Sequence, residues 1–153
     1  MTVNRKAQLA AMEDEASREL WEKIEGLSPE QLERPGLTAD GWSVKDLMWH
    51  IGAWSAECAR VLERIRMGTY EDEDYDTDAL NREWYELSRT LDLGTVRAEF
   101  ASARNRMLQE WDALPEVTQA ADEWFEESGP LHYREHAKQL EPWVATLKAP
   151  GPG

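Results

Sequence analysis

The sequence predicts an all-α fold: a four-helix bundle, with one short additional helix between its second and third long helices. Three observations carry the helical prediction. Apolar residues recur at steps of three and four in four long segments. No convincing run alternates apolar and polar residues as a half-buried strand would. The segments are separated by stretches rich in Pro, Gly and acidic residues, which do not continue a helix.

The first helix spans roughly Asn4 to Leu27, with Leu9, Met12, Ala16, Leu20 and Leu27 on one face. It stops near Gly26, at the loop LSPEQLERPGLTADG. The second begins sharply at Ser43, because S-V-K-D reads as a capping box in which Asp46 returns to the Ser43 amide. From Val44 to about Met67, residues Leu47, Ile51, Trp54, Cys58, Val61, Leu62 and Ile65 form an apolar stripe. His50 falls about 60° from the centre of that stripe, at the edge of the core face.

The acidic run GTYEDEDYDTD then reads as a solvated connection, since it lacks the glycine and terminal glutamate of an EF-hand. Asp76, Thr77 or Asp78 caps the short helix that contains Leu80, Trp84, Tyr85 and Leu87. The third long helix runs from about Gly94 to Leu114 and ends at Pro115. PEVTQAADEWFEESG reads as irregular or only partly helical. Pro130 suits the first turn of the last helix, on which His132, His136, Leu140, Trp143 and Leu147 share one face. Pro142 should kink or loosen that helix. Residues 1–147 form one domain, and 148–153, ending in APGPG, read as a disordered tail.

At 153 residues and 41% hydrophobic content the chain can bury a real core. No stretch approaches a membrane span, and the polar, acidic N-terminus does not resemble a secretory signal, so a cytoplasmic location is expected. A formal net charge of −14 argues against nucleic acid as a partner, because phosphate repulsion would replace counterion release. Cys58 is the single cysteine, which excludes an intramolecular disulfide; its spacing from Trp54 and Leu62 suits packing better than nucleophilic chemistry.

The three histidines are the candidate metal site. His132 and His136 lie four apart, so on a helix both imidazoles project from one face and can grip one ion. His50 supplies a third nitrogen if the fold brings the second and last helices together. Three neutral imidazoles leave coordination positions open, the pattern of a reactive divalent metal rather than a sealed structural zinc. The competing interpretation leaves two histidines on an exposed helix face and the third as a core-edge residue.

Trp42, Ser43, Asp46, His50 and Trp54, followed by His132 and His136, resemble the DinB-like four-helix-bundle proteins. In that superfamily W-[ST]-x-x-D-x-x-x-H-x-x-x-W precedes a C-terminal H-x-x-x-H. It includes thiol-dependent maleylpyruvate isomerases and YfiT-like hydrolases. The segment from Asp78 to Glu116, with HYREHAKQLEPW, is similar to the ClbS and DfsB branch. The resemblance implies a divalent ion, often nickel or zinc, held by His50, His132 and His136 at the mouth of a pocket. It does not imply one reaction: members include thiol transferases, isomerases and a self-resistance protein that opens a strained ring with water.

HYREH also fits the H-x-x-E-H pattern of inverted zinc peptidases, but too few residues follow His136 for their further ligand. Glu135 is the candidate general base, or else a surface charge paired with Lys138 or Gln139. Trp49, Trp54 and Tyr133, with Trp124 and Trp143, are candidates to line an aromatic pocket, core packing being their alternative role. An ion at the histidines would lower the pKa of bound water or of a low-molecular-weight thiol and polarise an electrophile. The expected function is thus a metal-dependent enzyme acting on a small electrophile by hydrolysis or thiol transfer. The alternative is a non-catalytic protein that sequesters a small molecule in the same cavity; a homodimer is a further expectation.

Overall fold

The computed structural model of the chain describes residues 4–149. Among the described residues there are seven helices and no strand: α1 (Arg5–Ile24), α2 (Pro29–Glu33), α3 (Val44–Met67), α4 (Thr77–Ser88), α5 (Leu93–Ala113), α6 (Gln119–Ser128) and α7 (Pro130–Lys148). The four long helices are α1, α3, α5 and α7. The helix pairs with the most extensive packing are α3 with α5 and α1 with α7, and α6 lies against both α3 and α7.

Caps set the helix starts. Ser43 accepts from the Asp46 amide at 3.2 Å while Asp46 accepts from the Ser43 amide at 2.8 Å, the expected capping box of α3. The Asp46 carboxylate also accepts the buried Ser88 hydroxyl at 2.6 Å, so the same residue ties the end of α4 to the start of α3. Such a cap contributes about 1 kcal/mol. Asp76 caps α4 as expected, and Asp92 caps α5. Gly68 closes α3 in the left-handed conformation, at φ 74°.

Two segments read as loop or irregular are helical. Within the first loop, Ser28 and Gln31 form a second capping box and Pro29 takes the first turn, which starts α2 and buries Leu32. The stretch after Pro115 contains α6, ten residues capped by Thr118, which buries Ala121 and Phe125. Phe125 stacks on Trp111 at a centroid separation of 4.1 Å, and this burial supplies what local propensity alone did not. At the C-terminus Lys148 closes α7 rather than opening a tail, and α7 runs through Pro142 as one helix. The remainder of the expected tail, 150–153, lies outside the described residues.

The core joins Leu9, Ala16, Leu20 and Ile24 of α1 to Leu47, Ile51, Cys58 and Leu62 of α3, with Met107 and Trp111 of α5 and Leu140 of α7. Gly52 lets α3 approach α5: a Cβ there would sit 3.4 Å from the Phe100 Cα. One carboxylate is enclosed with these apolar groups. Glu13 is 0% exposed and accepts both Arg104 nitrogens, at 2.7 and 2.8 Å, and the Tyr133 hydroxyl at 3.1 Å. A buried carboxylate is tolerated only when its acceptors are filled in this way. Among the described residues no helix is long and apolar enough to cross a membrane.

Candidate metal centre

His50 lies on the second turn of α3, and His132 and His136 lie one turn apart at the start of α7. A tight connection delivers the α7 pair. Gly129 is both the last cap of α6 and the first of α7, and its amide donates to the Phe125 carbonyl at 2.9 Å. A Cβ on Gly129 would meet that carbonyl oxygen at 2.8 Å and Glu13 Cγ at 3.4 Å, so a side chain here would press on the end of α6 and on α1 and disturb the turn that starts α7.

The three rings converge through their Nε2 atoms. His50 Nε2 lies 3.1 Å from His132 Nε2, which lies 2.9 Å from His136 Nε2, and one ligand atom from each ring falls within 4.8 Å of the others. His136 Nδ1 donates to Gln139 Oε1 at 2.8 Å, which leaves its Nε2 lone pair directed at the cluster. Aromatic packing holds the first ring: Trp42 meets His50 edge to face at 5.4 Å and is itself stacked on Tyr85 at 5.0 Å.

Electrostatics keep the cluster neutral. His50 is 8% exposed, and burial, with the neighbouring His136, pushes its pKa down to about 3. Burial and the two other rings push His132 down to about 2, and burial lowers His136. Three neutral imidazoles cannot satisfy one another: one N–H at His132 Nε2 can serve a single neighbour, and the remaining lone pairs face each other. His50 Nδ1 and His132 Nδ1 are also buried without a hydrogen-bond partner. A divalent cation accepts all three lone pairs at once, so the donor set fits one.

A cavity of about 530 Å³ opens beside the rings. Trp54, Tyr75 and Trp124 form aromatic walls, Thr77, Asn81 and Ser128 add polar groups, and Glu127 and Glu135 add carboxylates. Trp54 Nε1 donates to Asn81 at 2.9 Å, and the Tyr75 hydroxyl donates to Glu57 at 2.6 Å.

Residues 14–145 match the family described as Mycothiol maleylpyruvate isomerase N-terminal domain. The chain belongs to that family. For a mycothiol maleylpyruvate isomerase N-terminal domain, membership bears out the DinB-like resemblance and the helical bundle, while leaving the ClbS and DfsB branch undecided. A crystal structure of an uncharacterised protein from Escherichia coli UTI89 is similar, with a TM-score of 0.77 at 16% identity, over 92% of this chain and 93% of that one. At that identity it speaks for the fold alone. No curated protein matches the chain.

Of the expected pocket residues, Trp54 and Trp124 line the cavity. Tyr133 does not: it is 2% exposed and points into the core at Glu13. Trp49 packs against the core instead. Trp143 does likewise beneath the α2–α3 loop, where it lies against Gly36, whose positive φ of 121° and lack of a Cβ allow the approach. Glu135 faces the cavity and is exposed, while Gln139, one of its expected partners, is engaged by His136. Cys58 is buried packing, its thiol pushed up to about 12 by burial.

His50 is more enclosed than its place at the stripe edge suggests, because α3 is covered by neighbours on several sides. Tyr75, Thr77, Asn81, Glu127 and Ser128 were not expected at the cavity. Tyr75 comes from the acidic connection, which is fastened rather than simply solvated: Glu73 pairs with Arg60 and Arg64 of α3, each at 3.1 Å. Arg60 also pairs with Glu57, the acceptor of Tyr75. The only sequence signal for that was aromatic residues interspersed in an acidic run.

Proposed function

We propose that this chain is a metal-dependent enzyme that acts on a small electrophile, by transfer of a low-molecular-weight thiol or by hydrolysis. The observation that carries the proposal is the convergence of three Nε2 atoms beside an aromatic-walled cavity. His50, His132 and His136 would hold the ion, with nickel or zinc suiting imidazole ligands. A divalent ion there supplies Lewis-acid chemistry, lowering the pKa of a coordinated nucleophile and polarising the electrophile.

The chain's own residues have separable tasks. Gln139 orients His136, and Trp42 holds the His50 ring against rotation. Trp54, Tyr75 and Trp124 hold the substrate and keep water from its apolar part. Glu135, exposed at the cavity, is placed to accept a proton from the incoming nucleophile and return it to the leaving group. Cys58 has no part, being a buried thiol. The thiol in the family's name supports transfer over hydrolysis, and a cytoplasmic location would supply that thiol.

The first test is elemental analysis of untagged, chelator-free protein beside His50→Ala and His136→Ala. About one divalent ion per chain is expected in the parent and none in either variant. Turnover of an identified substrate that survives complete metal removal would end the enzyme proposal. Ligand affinity that persists in His136→Ala without any turnover by the parent protein would favour sequestration instead.

A further inference from the structure

The charge on the cavity lining is one-sided. The chain has 17 Lys and Arg residues, yet none of them lines this cavity, whereas Glu127 and Glu135 both do. Both are exposed, and among the described residues neither is paired with a basic side chain. Arginines near the cavity are already engaged: Arg60 and Arg64 lie behind the connection on Glu57 and Glu73.

The aromatic walls reinforce that sign. Trp54 and Tyr75 have their polar tips tied to Asn81 and Glu57, so what remains for a ligand is largely ring surface. Tyr75 is edge to face with Trp124 at 5.3 Å and tilted against Trp54 at 6.0 Å, giving neighbouring walls rather than one flat stack. Ring faces carry negative quadrupole potential and attract cations. A second carboxylate on a ligand would find no cation to meet it away from the histidines, and would face two like charges.

Resting on the proposed metal centre for the reactive end of the ligand, we propose that the rest of the cavity selects a flat apolar group bearing a protonated amine and rejects dicarboxylates. The amine would lie between the aromatic walls and the Glu127 and Glu135 carboxylates. Selection of this kind is a property of the lining and not of the ion.

Three probes that share one metal-seeking head separate the two: 4-(aminomethyl)benzenethiol, 4-(hydroxymethyl)benzenethiol and 4-mercaptobenzoate. Each is titrated into zinc-loaded protein at low ionic strength, with quenching of tryptophan fluorescence as the signal and zinc content measured alongside. The amine should bind about fivefold more tightly than the alcohol, and the alcohol about fivefold more tightly than the carboxylate. Salt at 0.5 M should compress the series, and Glu127→Lys should flatten or reverse it, as Glu135→Gln should in part.

Equal affinities, a preference for the carboxylate, or no binding of any probe would overturn amine selection, and a retained zinc ion would leave the metal centre standing. The expected ranking in protein that takes up no zinc would support amine selection while removing the metal centre.

Discussion

His50 is an imidazole kept from its proton by its surroundings, and that has a measurable sign. Its folded-state pKa lies at about 3, below the ordinary value of 6.5. As pH falls through 6.5 the unfolded chain takes up a proton that the folded chain refuses. Stability is therefore fully present above 6.5 and is lost as pH falls from 6.5 toward about 3. At pH 5 the loss for this one ring is about 2 kcal/mol. Urea denaturation of metal-free protein at pH 7.5 and 5.0 should show that loss in the parent and a smaller one in His50→Gln. Identical losses would mean that the folded ring protonates freely.

At the scale of elements, Glu13 fastens three helices: it belongs to α1, and its partners Arg104 and Tyr133 belong to α5 and α7. Glu13→Leu would leave the half-buried Arg104 with only its looser contact to Asp14 at 3.8 Å, with a loss of about 3 kcal/mol. Tyr133→Phe removes one hydrogen bond and should cost about 1 kcal/mol. Denaturant midpoints check both, and a Glu13→Leu protein as stable as the parent would show that the pair is dispensable. This knot also marks where the sequence stopped being legible. Helix α3 could be read closely because its capping box and stripe are local. Nothing local marks Glu13 as buried, because its partner Arg104 lies 91 residues away. Helix α6 looked irregular because its acidic composition hides an apolar face that becomes evident only beside Trp111 and α3. The histidine trio was legible as residue types and spacing, whereas Tyr75, Asn81 and Glu127 reach the cavity by topology alone.

On the scale of the whole molecule, an ion bound only by the folded chain would couple binding to stability. With free zinc at about 100 times its dissociation constant, the folded state should gain about 2.7 kcal/mol. Thermal or urea denaturation with and without zinc would show the gain, and His136→Ala should show none. The candidate ligands are also widely separated along the chain: His50 and His132 meet across 82 residues. During synthesis His50 leaves the ribosome long before its partners exist, and no shorter product ending before α7 can assemble the trio. Metal capture at this trio would thus mark a finished molecule. A truncated or misassembled copy would emerge without its ion, distinguishable from a sound one by what it fails to retain.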